Sequence, residues 1–235
     1  MAGIKVEGNS GTVAEVDGTA FRAVRTVNRP LDHGSLGHYR IQVATGTLAA
    51  ALAAGTGTAG HIFAFRWGDA TRLAVITKLK TRFLPLTLFT AATLTDHTSF
   101  DAFIVRSYSA SHSGGTSLTP TGNNAKARTS MGTSLATDIR ISTTAALTSG
   151  THTFDAFPFA QSLRRGNRVN PAAATEEVIQ PQADGMEMDF DMGGGDHPMV
   201  FAQNEGFVLR NRTVWPAAGT GILTVLVAWA EVTAF

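Results

Sequence analysis

Apolar and polar residues alternate with a period of two along most of this chain, which is the pattern of half-buried β-strands. The clearest run is Arg72 to Phe83. There Leu73, Val75, Leu79 and Phe83 fall on one face and Arg72, Lys78, Lys80 and Arg82 on the other, predicting a strand with a dry side and a basic side. Ile222 to Val232 is apolar on both faces, with Leu223, Val225, Val227 and Trp229 on one and Ile222, Thr224, Leu226 and Ala228 on the other. Such a strand belongs inside a sandwich or against a partner chain. Its apolar run is about nine residues where a membrane-spanning helix needs roughly 20, so it reads as a core strand. Met186 to Met192 alternates strictly and predicts a buried Met/Phe face opposite an acidic stripe of Glu187, Asp189 and Asp191. Further strands are predicted at 39–43, 62–67, 84–94, 100–108, 138–143, 153–160, 199–203 and 207–210. The one helix candidate is Thr47 to Ala54, capped by Thr and ended by Gly55. The fold class is therefore all-β, with at most one or two short helices.

Three stretches interrupt this rhythm. Gly3 to Leu36 has too few apolar positions for a core and carries Arg22, Arg25 and Arg29, which suggests an extended N-terminal arm over residues 1–37 ahead of a β domain over 38–235. Ser109 to Ala136 is rich in Ser, Gly, Thr and Asn and reads as a long loop with a cationic tip at Lys126 and Arg128. Gln161 to Gln182 is a second irregular segment, with Arg164, Arg165 and Arg168. These eight cations are the candidate subunit-contact residues. Three Arg without interleaved aromatics make direct nucleic-acid binding a poor reading of the second loop.

Composition sharpens the class. Only 16% of the residues are charged, against roughly 25% in ordinary soluble domains, which favours a subunit of a larger assembly. The formal net charge of +1 conceals an asymmetry: residues 1–168 hold 17 Lys or Arg and 9 Asp or Glu, and residues 169–235 hold 2 and 9. Such segregation can dock one subunit on the next, or it can cancel within a single fold. The absence of cysteine removes disulfides and thiolate chemistry. No apolar run near Met1 resembles a signal peptide, an expectation that fits synthesis in a bacterial cytoplasm.

No local pattern nominates a catalytic, cofactor-binding or metal-ligating residue. The carboxylates at 187, 189 and 191 would share a strand face, but loop-type calcium spacing is missing. The seven His, at 33, 38, 61, 97, 112, 152 and 197, are scattered, and none forms the His-x-x-x-His spacing that sets two imidazoles on one helical face. Gly114-Gly115 lacks the Gly-Lys-Ser/Thr of a phosphate loop, and no nucleophile elbow is present. The expectation is a non-enzymatic protein with no cofactor.

Three stretches carry a resemblance. Ala202-Gln203-Asn204-Glu205-Gly206-Phe207-Val208-Leu209-Arg210 followed by Thr220-Gly221 and the closing Trp229-Ala230-Glu231-Val232 resembles the C-terminal end of structural proteins of tailed bacteriophages. Phe63 to Thr71 and Gly114 to Arg140 extend the likeness over most of the chain after His38. The resemblance implies a virion component, jelly-roll-like, assembled in the host cytoplasm. On that reading the partners are the chain itself, as a dimer or trimer, and other virion proteins such as the major capsid protein. A head decoration or cement protein is the preferred version, because arms and long loops around a β body suit clamping across a lattice. A tail or fibre component that binds host glycans is the alternative within the particle. A carbohydrate-binding or hydrolysing β-sandwich is the alternative from another class.

Overall fold

A computed structural model describes residues 16–17, 23–24, 37–49, 52, 60–87, 99–136, 138–162, 187–189, 197–212, 214–215 and 219–233. The chain divides into two compact units, Met1–Asp32 and His33–Phe235. In the first, β1 (Val16–Asp17) pairs antiparallel with β2 (Ala23–Val24). Arg22, Arg25 and Arg29 lie outside the described residues.

The second unit is a two-sheet sandwich. Its strands are β3 (His38–Ala44), β4 (His61–Arg66), β5 (Leu73–Thr87), β6 (Phe100–Tyr108), β7 (Thr116–Leu118), β8 (Asp138–Ile141), β9 (His152–Phe154), β10 (Ala160–Gln161), β11 (Glu187–Asp189), β12 (Met199–Phe201), β13 (Gly206–Asn211) and β14 (Thr220–Val232). One sheet runs β10-β6-β13-β4-β8-β7, with β9 also on β6; the other runs β11-β5-β14-β3, with β12 also on β5. Every pairing is antiparallel, and the principal ones are nested: β3 with β14, β4 with β13, β5 with β12, β6 with β9 and β10. A long hairpin rolled up so that outermost strands pair together is a jelly roll, and the jelly-roll-like sandwich expected from the sequence is present. β7 and β8 are an insertion between β6 and β9 that widens the larger sheet.

Period-two alternation explains most of these strands. In β4 and β13, Phe63, Phe65, Phe207 and Leu209 enter the core between the sheets, while Ala64 and Val208 between them face the other way. The core face of β14 is Leu223, Val225, Val227 and Trp229, all fully buried. Its opposite face differs from the expectation of a strand dry on both sides: Ile222, Thr224 and Leu226 are half-buried.

Two expectations are corrected. Leu73 and Val75 do not share a face with Leu79 and Phe83, because the register of β5 against β14 shifts between Ala228 and Trp229 and leaves Thr77 as an extra residue. A bulge flips every side chain beyond it, so Ala74 and Ile76 are the core residues before it and Leu79 and Phe83 after it. His38 Nε2 holds the bulged Thr77 hydroxyl at 2.9 Å. The helix expected over Thr47 to Ala54 is also not supported: Leu48 forms an extended bridge to Gly221, with amide to carbonyl distances of 2.8 and 3.2 Å. Residues 50, 51 and 53–55 lie outside the described residues. Leu48 is fully buried, and pairing with the end of β14 satisfies its backbone better than two isolated helical turns would. Among the described residues the only helical piece is a 3-10 turn at Asn123–Ala125.

The Ala202–Gly206 motif is the turn between β12 and β13. Asn204 occupies the left-handed region at φ 65°, which Asn tolerates, and the Glu205 carboxylate accepts the Ala202 amide at 2.8 Å. A Cβ at Gly206 would collide with the Phe65 carbonyl on the adjoining strand. The Phe63 to Thr71 motif is β4 with the turn beyond it, where Asp69 Oδ1 accepts the amides of Thr71 and Arg72, each at 2.8 Å. Those bonds, led by the Thr71 amide, hold the Asp69 carboxyl below its usual range.

Near the end of β14, Glu231 is fully buried and accepts the Ser134 hydroxyl at 2.7 Å and the Leu135 amide at 2.9 Å, tying the segment before β8 to the other sheet. Burial pushes its pKa up, while those bonds and Arg72, 3.9 Å away, oppose the rise. A carboxyl whose folded pKa lies above its unfolded value favours folding most below the unfolded value; that contribution is lost as pH rises through the folded pKa. Glu231→Gln keeps an acceptor for Ser134 and Leu135 without the buried charge. Its Tm relative to wild type is expected to rise between pH 4 and pH 8, whereas Glu231→Ala orphans three donors, Ser134, Leu135 and the Trp229 indole, and costs about 2–3 kcal/mol by denaturant unfolding at neutral pH.

Candidate functional site

The central strands β4 and β13 of the larger sheet are buried on both faces. On the face away from the other sheet, Ala64, Phe103, Val105, Tyr108, Leu147 and Val208 form a second apolar cluster with Phe154 packed against it. It is covered by a lobe made of residues 109–115 and 147–155. The two halves of the lobe pair by backbone: Ser113 and Thr148 exchange amide to carbonyl bonds of 3.0 Å, and the Thr151 amide reaches the Ala110 carbonyl at 3.1 Å. Glycine permits this closeness, since a Cβ at Gly150 would run into the backbone of Ala110 and Ser111, and one at Gly115 into the Ile141 carbonyl. Gly115 also sits at φ 56°, where side-chain-bearing residues are strained. The Leu147 amide donates to the His61 carbonyl at 2.7 Å, joining lobe to sheet.

Inside this lobe three histidines converge. His61 opens β4, His112 lies in the strand-like stretch after β6, and His152 opens β9 opposite Tyr108. His61 and His112 are buried and His152 is half-buried. His61 Nδ1 and His112 Nε2 share a hydrogen bond of 2.6 Å, and one nitrogen from each of the three rings lies within 4.8 Å of the others. The His112 and His152 rings stack with centroids 4.9 Å apart. Phe154 meets His152 edge-on at 4.4 Å and His61 at 5.5 Å, and Tyr108 lies 5.8 Å from His112 and 5.4 Å from His152. This is a largely buried aromatic box around three imidazoles. Burial, with the charges of His152 and Arg140 adding to it, pushes the His112 pKa down to about 4. Burial is also the main cause that lowers His152, with Arg210 contributing. At neutral pH the two rings are uncharged, the form in which imidazole ligates a metal.

Around the box runs a polar frame. The Arg66 guanidinium bonds the Ser111 hydroxyl at 2.5 Å and Asn204 Oδ1 at 2.6 Å, and lies 3.8 Å from Asp138, which also accepts the Ser111 hydroxyl. Arg210 lies over the rings of Phe103 at 3.7 Å and Phe154 at 4.9 Å. Asp155 takes a bidentate pair of bonds from Arg106 at 2.8 and 2.7 Å.

The residues singled out from the sequence are not in this box. Lys126 is half-buried and does not form the free tip expected of it: its segment lies along β3, bridging to Tyr39, with the Ala127 amide on the His38 carbonyl at 2.9 Å. Arg128 is exposed in the following turn. Arg164, Arg165 and Arg168 lie outside the described residues. β11 is a strand as predicted, and its register sets Glu187 opposite Lys80 and Asp189 opposite Lys78. Sequence reasoning set the histidines aside as scattered, because 51 residues separate His61 from His112 and no local spacing marks them.

Comparison with known proteins finds no matching family model and no matching curated relative. The lobe's closeness can be tested directly. Gly150→Ala is expected to cost more than about 2 kcal/mol and to raise amide exchange over 109–115 and 147–152 well before the rest of the sandwich, measured by hydrogen exchange.

Proposed function

We propose that this chain is a non-enzymatic structural component of a tailed-bacteriophage particle, acting by self-association and by binding other virion proteins, as a head decoration or cement protein. The observation that carries this reading is the apolar surface left at one edge of the jelly roll. Phe157 is 82% exposed, shortly before β10, which among the described residues is the end strand of the larger sheet. An isolated soluble chain has little reason to present a phenylalanine as exposed as Phe157, whereas a subunit buries it on its neighbour. Leu84 and Leu86 are also exposed, at the far end of β5, and Val214 stands exposed beside the buried Trp215. The low charge content and the double-sheet jelly roll, an architecture used by viral capsid proteins among others, agree with this reading.

Glycan binding has less behind it. The groove between β3 and residues 117–125 offers Arg40, Gln42 and Asn124, but no aromatic ring lines it on which a sugar face could stack.

Sedimentation of the purified chain is expected to show a dimer or trimer at micromolar concentration, and Phe157→Asp to shift it toward monomer without altering its circular dichroism. In reconstructions of intact particles its density is expected on the head lattice. A monomeric wild type together with absence from the particle would overturn the reading; density on the tail would move it to the tail or fibre alternative.

A further inference from the structure

We propose that His61, His112 and His152 form a binding site for one divalent transition-metal ion of zinc's class, which staples the 109–115 and 147–155 lobe to the larger sheet. The donor set fits. Imidazole suits zinc, copper and nickel, and three histidines with one further position for water or another ligand make a recognised zinc coordination. The three ligand nitrogens already lie within 4.8 Å of one another. A tetrahedral ion with nitrogen ligands at about 2.05 Å holds them roughly 3.3 Å apart. With the hydrogen-bonded pair, His61 Nδ1 and His112 Nε2, as two of the ligands, those atoms need to separate by several tenths of an ångström from 2.6 Å, and the third to close in.

A second observation points to a missing ligand. The ring nitrogens of His152 and the hydroxyl of Tyr108 beside it are buried atoms with no hydrogen-bond partner among the described residues. Buried polar atoms in a native protein are nearly always satisfied, and orphans clustered in one pocket mark the place of an ion or water. Arg140 and Arg210 add positive potential at these rings, which sets the affinity below that of a site framed by carboxylates.

The three ligands come from segments far apart in the chain. An ion holding them closes two loops, 61–112 and 112–152, that the folded protein otherwise closes with backbone bonds and the small apolar cluster. The consequence is local: the lobe becomes rigid while the sandwich beneath it is unchanged. This is independent of the virion reading, since a particle protein and a free one would gain the same staple.

The test uses the full chain with any affinity tag removed, stripped with a chelator and then titrated with Zn2+ by calorimetry. One ion per chain is expected, with Co2+ giving the visible absorption of a tetrahedral site. The Zn2+ form is expected to melt higher and to slow amide exchange over 109–115 and 147–152. His112→Gln and His152→Gln are expected to weaken Zn2+ binding by at least about 100-fold, more than the loss of an outer-shell partner causes. His38→Gln and His197→Gln are expected to leave it unchanged. Folded wild type that takes up no Zn2+ and gives no tetrahedral Co2+ spectrum overturns the proposal, a result needing no variant; so does binding that survives both cluster variants. In that event the three rings are a packed cluster of imidazoles and nothing more.

Discussion

The packing of aromatic rings between the two sheets is the contact on which the rest of this fold depends. Phe65 of β4 stacks on Phe207 of β13 at 5.7 Å, meets Phe201 of β12 at 6.2 Å and takes the edge of Trp229 of β14 at 5.6 Å. Trp229 in turn stacks on Tyr39 of β3 at 5.8 Å. Five strands, two from one sheet and three from the other, are thus joined through rings that each bury 150–250 Å² and gain about 0.5–1.5 kcal/mol per pair beyond the area they cover. Because the strand pairs are nested, β3 cannot dock until β14, near the opposite end of the domain, is in place. The aromatic layer rewards that long-range closure, and a topology so dominated by non-local pairing is expected to fold slowly.

The strands were legible in the sequence wherever side-chain alternation was unbroken, and β6 matches its predicted limits of Phe100 and Tyr108. What escaped was information that lives in the pairing. Nothing around Thr77 announces a bulge: it is a β-branched residue in a run of good strand formers, and only the register against β14 shows that it is supernumerary. The same holds for Leu48, whose neighbours favour a helix by intrinsic propensity but whose burial against Gly221 overrides it. β7 escaped because Thr116 to Leu118 is three residues inside a Ser/Gly/Thr-rich stretch, too short for a period to register.

The histidine box is the extreme case of this limit. Its members are supplied by one core strand and by the two halves of an insertion-bearing connection, so their meeting is a property of topology. A weak sequence signal exists in retrospect: Ser111-His112 and Thr151-His152-Thr153-Phe154 each place a histidine in a short polar stretch beside an aromatic strand. That signal says only that the rings are near strand ends. It becomes chemistry once β9 pairs with β6 and sets His152 opposite Tyr108.

The two ends of the larger sheet and the β3 edge of the smaller one are treated differently, and this asymmetry bears on where a partner could add. Next to β3, residues 117–127 leave β7 in one sheet and run along the other, with the Ala127 amide on the His38 carbonyl and Lys126 bridged to Tyr39, so that side of the sandwich is closed by the chain itself. At the opposite end, β10 contributes two residues of ladder, the Phe159 amide and the Ser162 amide continue it onto Ala102 and Phe100, and Phe157 shortly before it is exposed. Soluble proteins commonly blunt a free edge with charge, proline or cover. Among the described residues one edge is covered, while the strand at the other is short. A neighbour that docks there by side-chain burial is favoured over one that extends the sheet by main-chain bonds, because two residues of ladder hold little and the exposed Phe157 ring offers apolar area to bury.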